Sequence, residues 1–250
     1  KELESIKAAK KKWVDADAEA FAKNPDGPFT EGKTFAASQN VPKELAAIAE
    51  HWARQLGIKD RIYITTTEDA KSSTYAGPYS AIPSQGSGKA GGSKRRLSNG
   101  DFVIAYTPSA RVSKNMEILS HEIGHVLMDT VYAHASPETK KAIDADYDKW
   151  YESTKGKSAK EVVESLRAHT VGKTTEVPDN VLAEDMNPYW RSKSEWFADQ
   201  VSRWATTTAK PLTIVEKFFS RLADTLKRFF LANRKYLPAK SMHDWLDGLY

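Results

Sequence analysis

The sequence contains no cysteine in 250 residues, which excludes a disulfide framework and a thiolate metal site. It also has no apolar run of membrane-spanning length, and its first residues, Lys-Glu-Leu-Glu, do not form an apolar signal region. We therefore expect no membrane partner, whereas the absence of cysteine is compatible with any compartment. The first residue is Lys1 instead of methionine, which favours a processed product or an excised part of a larger polypeptide.

The sequence also has little excess charge. There are 37 Lys and Arg against 33 Asp and Glu, a formal net charge of +4. A pI near 9.0 that arises from so small an excess is a weak reason to expect nucleic acid as a partner. A hydrophobic share of 40% beside 28% charged residues is ordinary for a globular protein, and the length suffices for one sizeable core.

The most informative stretch is His121–His125, which reads His-Glu-Ile-Gly-His. On a helix, two histidines four residues apart project from one face, so both rings can hold one cation. Glu122, between them, then lies close enough to a metal-bound water to take its proton. A second face carries an apolar stripe fit for burial: Leu119, Ile123, Val126 and Leu127. Gly124 weakens a helix by about 1 kcal/mol relative to alanine, so we expect another backbone to pack closely there.

A catalytic zinc ion usually takes a third protein ligand and leaves one position for water. A third histidine could come from the pattern His-x-x-Gly-x-x-His that starts at His125. That pattern is absent, because Met128 occupies its glycine position and Val131 its second histidine position. His134 follows beyond the expected end of the helix, and nothing orients it. The remaining candidate is Glu195, which begins a Glu-x-x-x-Asp pattern that places Glu195 and Asp199 on one helical face. One of these acids can bind the ion, and the other can accept the remaining N–H of a ligand histidine.

The His-Glu-x-x-His motif followed at a distance by Glu-x-x-x-Asp resembles the gluzincin branch of the zincin metallopeptidases, the thermolysin-like arrangement, over residues 40–208. The resemblance implies one bound Zn²⁺ and the following roles: His121, His125 and Glu195 as ligands, Glu122 as general base, and Asp199 as the acid that supports a ligand. It also implies an α+β fold, in which a small, mostly antiparallel sheet packs on the metal-binding helix and the C-terminal half is mostly helical. The segment 194–238 is similar, less specifically, to peptidase-like modules of very large multidomain phage proteins.

The resemblance further assigns substrate binding to a strand. In zincins the strand before the metal helix is an edge that pairs with an extended substrate, and an edge strand can bind any peptide backbone. Here that strand is 101–107, and its substrate-binding residues would be Phe102, Val103, Ile104, Ala105 and Tyr106. Tyr189 is a candidate, by proximity to Glu195 alone, for the group that stabilises the oxyanion, and plain packing is the alternative for it.

Periodicity and turn chemistry predict the remaining elements. A second strand is expected at 61–67, a turn at 24–28, and a Gly-, Ser- and Pro-rich loop at 72–100 that carries Lys94, Arg95 and Arg96. Helices are expected at 2–22, 42–56, 113–132, 137–153, 158–168, 212–236 and 241–249, with a further one from Glu195 to Thr207 and with Ser113, Ser136 and Ser241 as caps. The corresponding domain organisation is an N-terminal helix and linker (1–28), a zincin-like domain (29–208) and a helical extension packed on it (209–250).

These features favour a zinc-dependent endopeptidase that acts on a protein or peptide in extended conformation. One alternative is a catalytically silent, metal-holding module of a larger protein, such as a phage virion component, although an intact Glu122 argues against it. Another is a nucleic-acid-associated helical protein that uses Lys94, Arg95 and Arg96 together with the basic C-terminal helix, in which case the His-Glu-x-x-His motif is incidental. The phage likeness implies a location in the virion, or in the bacterial cytoplasm after phage entry.

Overall fold

The structure is a computed structural model that describes residues 19, 21–71, 78–79, 91–166, 180–208 and 236–250. This part of the chain is a mixed α+β protein with more helix than strand, so the expected α+β class is confirmed. It divides into two compact units. The first contains the described residues of 1–46 together with Lys59–Pro108, and the second contains Ala47–Ile58 and Ser109–Tyr250. The expected helix at 212–236 lies outside the described residues, as does most of the helix at 2–22.

The first unit is built around a four-stranded sheet in the order β1-β2-β4-β3. The strands are β1 (Phe35–Ala37), β2 (Ile62–Thr66), β3 (Gly92–Arg96) and β4 (Phe102–Tyr106). β2 pairs in parallel with both β1 and β4, and only β3 pairs antiparallel, with β4. The prediction of a mostly antiparallel sheet is therefore wrong. Parallel neighbours need a crossover connection, which helix α1 (Lys43–Gln55) supplies between β1 and β2.

The prediction that 101–107 forms an edge strand is also wrong. β4 lies between β2 and β3, and its five residues, the expected substrate-binding residues Phe102, Val103, Ile104, Ala105 and Tyr106, are all buried. Their backbone groups already serve two neighbouring strands, so they cannot pair with a substrate. A continuous apolar run without polar alternation is typical of such an internal strand.

The basic residues of the expected 72–100 loop lie on a strand, β3, which is an outer strand among the described residues. Lys94 Nζ and Arg96 Cζ lie 5.8 Å and 5.2 Å from the centroid of the Phe102 ring. Both cations therefore lie over an aromatic ring of β4. The loop prediction is therefore wrong for Gly92–Arg96. Residues 72–77 and 80–90 lie outside the described part of the chain.

The second unit is helical over its described residues. The short helix α2 (Thr67–Lys71) belongs to the first unit. The helices that follow it, all in the second unit, are α3 (Val112–Asp129), α4 (Pro137–Ser153), α5 (Ala159–Leu166), α6 (Lys193–Thr207) and α7 (Lys240–Leu249). Short 3₁₀ turns lie at Tyr132–His134 and Pro188–Arg191. α7 contacts α4 and α6. None of the described helices is long and apolar enough to span a membrane.

Helix caps show where local reasoning succeeds. Ser136 caps α4 as predicted, since its Oγ accepts from the backbone N–H of Thr139. Ser113 does not cap α3, which begins one residue earlier; instead the Asn115 side chain bonds both backbone groups of Ser109, at 2.8 Å and 2.9 Å. Ser241 does not cap α7 either, because its hydroxyl donates to Asp146 on α4 at 2.6 Å.

Candidate metal centre

Helix α3 carries the two motif histidines one turn apart on the same face. Their ring centroids are 4.9 Å apart, and the ring planes stand nearly perpendicular, at 85°. The predicted apolar stripe is confirmed, because the following residues are all buried: Leu119, Ile123, Val126 and Leu127. Burial of this stripe fixes the rotation of α3 about its axis, which leaves His121 and His125 together on another side of the helix.

Helix α6 brings the distant acid to the histidines. Ser192 caps α6, with its Oγ 3.3 Å from the Glu195 backbone nitrogen, so Glu195 falls in the first turn. One carboxylate oxygen lies 3.4 Å from His121 Nε2 and the other lies 3.1 Å from His125 Nε2. The nearest potential ligand atoms of the three side chains all lie within 4.8 Å of one another. The convergence expected from the sequence is therefore present, and the group could hold a metal ion.

Gly124 permits the close approach of the two helices. A Cβ atom at this position would lie 2.8 Å from Ala198 Cα and 3.1 Å from the Ala198 carbonyl oxygen, both of them backbone atoms of α6. The prediction that another backbone packs against Gly124 is confirmed. One turn earlier, the hydroxyls of Ser120 and Ser202 lie 3.1 Å apart across the same interface. Small residues thus set the spacing between the helix that bears the histidines and the helix that bears Glu195.

The electrostatics of Glu195 suit a metal ligand. The residue is only 1% exposed, and burial by itself raises the pKa of its carboxyl group. Hydrogen bonds and charge interactions with His121 and His125 outweigh that effect and hold the pKa well below its usual range. The carboxylate therefore stays ionised, which is the form in which a carboxylate binds a metal.

Glu122 lies between the two histidines on α3 and is 6% exposed. Its place on the helix follows directly from the motif, because a side chain next to His121 and three residues before His125 lies on the flank of their shared face. A buried carboxylic acid at this position of the helix is the type of group that could exchange a proton with a molecule held by the two histidines.

Asp199 is buried one turn after Glu195, and its Oδ2 lies 2.6 Å from Nε of Arg203. Arg203 also donates to the last carbonyl groups of α5, at Ser165 (2.5 Å) and Leu166 (2.7 Å). The described partner of Asp199 is thus an arginine that ties α6 to the end of α5. The expected contact of Asp199 with a ligand histidine stays a prediction.

Ser194 is the residue that sequence reasoning missed. Its Oγ lies 3.0 Å from Nδ1 of His125, the ring nitrogen that faces away from Glu195. The only signal available was its position immediately before the third ligand, in the first turn of α6. Spacing alone does not reveal which side chain meets which nitrogen, because the two residues are 69 positions apart.

The start of α6 is anchored by further contacts that the sequence did not indicate. Lys193 Nζ donates to the Tyr132 hydroxyl at 2.9 Å and also bonds Asp144 on α4. Tyr147, also on α4, donates its hydroxyl to the carbonyl oxygen of Arg191 at 2.7 Å. The first turn of α6, which carries Ser194 and Glu195, is therefore fixed to the neighbouring helices.

Other sequence candidates lie elsewhere or remain predictions. Tyr189 lies on the 3₁₀ turn Pro188–Arg191 and is 52% exposed, with its ring 5.4 Å from that of Trp190. Its role at an oxyanion stays a prediction. His51 lies 3.1 Å from the Tyr250 hydroxyl. In the described part of the chain, only His121, His125 and Glu195 form a group of three or more residues able to hold a metal.

Comparisons with protein-family models, with curated proteins and with solved structures found no match to this chain. The donor atoms are therefore the best guide to the ion. Two imidazole nitrogens and a carboxylate oxygen form the donor set of many catalytic zinc sites. Bonds of about 2.0–2.1 Å in a tetrahedral site put donor atoms roughly 3.3 Å apart. The histidine–carboxylate separations of 3.1 Å and 3.4 Å, which run to different oxygens of Glu195, lie close to that spacing. The donor types are those of a zinc site, and the group could hold a metal ion.

Proposed function

We propose that the chain is a zinc-dependent endopeptidase of the gluzincin type. The observation that carries the proposal is the convergence of His121, His125 and Glu195 from two helices, with Glu122 buried next to His121 on α3. A purely structural zinc site is closed by four protein ligands, whereas a three-residue set leaves a position for water or substrate. The described residues contribute three.

The roles of the side chains follow from their chemistry. When bound, the ion would polarise the scissile carbonyl group and lower the pKa of a bound water. His121, His125 and Glu195 hold the ion, and Glu195 is ionised before the ion arrives. Glu122 takes the proton of the water and then gives it to the leaving amine, so one carboxylate acts as base and as acid.

The proposed partner remains an extended peptide, but its backbone cannot pair with Phe102–Tyr106. Within the described residues the sheet ends at β1 and β3, so backbone pairing is assigned to an outer strand. β3 is five residues long and β1 only three, which favours β3. The proposal retains Tyr189 as oxyanion donor and membership of a larger phage polypeptide.

The catalytically silent metal-holding module is the competing function. It requires the same three ligands but gives no role to Glu122. An acid between two ligand histidines is what a general base at a bound water requires, and the silent module needs none. Catalysis by the metal-loaded chain separates the two functions.

The test measures zinc content and hydrolysis of unfolded casein by the full chain and by two variants. We expect one zinc ion per wild-type chain, cleavage that a chelator stops, and restoration by added Zn²⁺. Glu122→Gln should keep the zinc and lose about 10²–10⁴-fold in activity, because general acid–base catalysis contributes that much. Glu195→Ala should lose both. Zinc-loaded wild-type protein without activity would identify the silent module, and full activity of Glu122→Gln would refute the assigned base.

A further inference from the structure

We infer that Ser194 is a positioning residue that fixes the orientation of the His125 ring for metal binding. The inference rests on the proposed metal centre. His125 is held from both sides: Nε2 lies 3.1 Å from a Glu195 oxygen, and Nδ1 lies 3.0 Å from Ser194 Oγ. Two adjacent residues in the first turn of α6 therefore contact the two nitrogens of one imidazole ring.

The contact matters because each nitrogen of an imidazole ring either carries a proton or offers a lone pair. A neutral imidazole carries one proton on either nitrogen, and only the other nitrogen has a lone pair for a metal. The nitrogen that faces the group able to hold a metal is Nε2, so binding requires the proton on Nδ1. When Nε2 binds a metal, the serine oxygen can accept the Nδ1–H bond; when Nε2–H instead donates to Glu195, the same hydroxyl can donate to Nδ1. Ser194 can therefore hold the ring in one orientation with and without the ion.

Ser194 can hold this position because the backbone around it is held. Ser192 caps the helix, and Lys193 bonds Tyr132 and Asp144, so the residues immediately before Ser194 are fixed to α6 and to neighbouring elements. The first turn of a helix also has little freedom to move once it is capped. The hydroxyl is therefore placed by the fold.

The alternative holder of a ligand histidine, Asp199, differs in its surroundings. Its carboxylate oxygen Oδ2 lies 2.6 Å from Arg203 Nε, whereas Nδ1 of His125 has Ser194 at hydrogen-bond distance. Ser194, the residue before the proposed metal ligand, contacts one histidine. Asp199, one turn after that ligand, pairs with Arg203, which in turn donates to the end of α5.

The test compares three variants of the full chain, with Zn²⁺ alone as the probe. Ser194→Ala should weaken zinc binding by about 10–100-fold, the range seen when a partner of a ligand histidine is removed. Ser194→Thr retains the hydroxyl and should restore the affinity to within a few-fold of wild type. Ser153→Ala is the matched control: it removes a serine hydroxyl that bonds the Trp150 carbonyl oxygen at the end of α4, away from the metal centre, so it should leave zinc affinity nearly unchanged.

A second readout reports the contact itself. In the zinc-loaded chain with ¹⁵N-labelled histidine, the Nδ1–H proton of His125 should exchange slowly with water in the wild type and in Ser194→Thr. It should exchange faster in Ser194→Ala. A merely structural role of Ser194 would change folding stability without this pattern.

The possible failures are distinguishable. If the wild type binds zinc and Ser194→Ala keeps both the affinity and the protected Nδ1–H, the positioning role is wrong and the metal centre stands. If Ser153→Ala weakens zinc binding as much as Ser194→Ala does, the effect is not specific to the His125 contact and the role is again wrong. If the wild-type chain takes up no zinc, the proposed function and this inference fail together.

Discussion

Replacing Gly124 by alanine would test whether helix packing sets the geometry of the metal centre. The added Cβ would lie 2.8 Å from Ala198 Cα, whereas ordinary contacts begin at 3.4 Å, so the backbones must separate by 3.4 − 2.8 = 0.6 Å. Backbone atoms of α6 cannot rotate away as a flexible side chain could. Ala198 lies three residues after Glu195, so the displacement reaches the ligand.

Two opposing free-energy changes accompany this substitution. Alanine improves helix propensity by about 1 kcal/mol relative to glycine. Overpacking of a tight contact costs about 1–3 kcal/mol. We therefore expect a folded variant with stability between unchanged and about 2 kcal/mol lower. Metal–ligand distances tolerate only about ±0.2 Å, which is less than the required separation. Zinc affinity should fall at least about tenfold, as when a partner of a metal ligand is lost.

The assay is zinc competition against a chelating dye, with thermal unfolding of the zinc-free protein measured alongside. Gly248→Ala is the matched control, because this glycine also lies in a helix, α7, and its added Cβ would meet nothing within 4 Å. Loss of zinc affinity in Gly124→Ala but not in Gly248→Ala would support the reasoning. If Gly124→Ala bound zinc as the wild type does, the close approach would have no part in forming the site.

Three further predictions concern the scaffold. Arg203→Ala should lower the free energy of unfolding in urea by about 3–5 kcal/mol, because it removes the cation paired with the buried Asp199 carboxylate. Arg54→Ala, at an exposed pair, should cost under about 1 kcal/mol. Equal effects of the two variants would show that the buried pair contributes no more than the exposed one. Burial raises the pKa of three tyrosines to about 12: Tyr79, Tyr106 and Tyr250. The raised pKa values stabilise the folded state fully below the unfolded pKa of about 10, and this stabilisation is lost as the pH rises from about 10 to about 12. The phenolate absorbance of these tyrosines should therefore appear above the pH at which free tyrosine ionises, and together with unfolding. Chelation should lower the melting temperature, because a bound ion stabilises the folded state by mass action. It should leave the far-ultraviolet circular dichroism at room temperature unchanged. Loss of the helical signal on chelation would contradict this prediction.

The sequence predicted the centre of the site better than its surroundings, for a physical reason. Metal chemistry demands donors of particular types on one helical face, and few residues besides His121, His125 and Glu195 could meet that demand. The mid-helix Gly124 carried similar information, because a residue that weakens a helix needs a compensating contact. Such constraints act at single positions and can be read from the amino-acid sequence.

Strand order could not be read in the same way. The residues of β3, Gly-Ser-Lys-Arg-Arg, have no strong strand propensity, and their pairing with β4 provides what the local sequence lacks. Without β3, the strand 101–107 looks like an edge. Ser194 illustrates the same limit at the site, since its partner His125 lies 69 residues away and only the packing of α3 on α6 brings them together.

The contacts that assemble the candidate centre do not themselves involve a metal. Gly124 against Ala198 sets the distance between α3 and α6, Ser192 sets where α6 begins, and Lys193 ties that beginning to Tyr132. Each contact holds backbone or a side chain outside the ligand set, so the fold brings the three ligands together in advance. Binding an ion at a preorganised site loses little conformational entropy, whereas in a zinc finger the ion must also fold the chain. In the metal-free state the buried Glu195 carboxylate remains charged because two imidazoles face it. A divalent cation would neutralise the same carboxylate, so the arrangement that holds the ligands together also favours occupation by an ion.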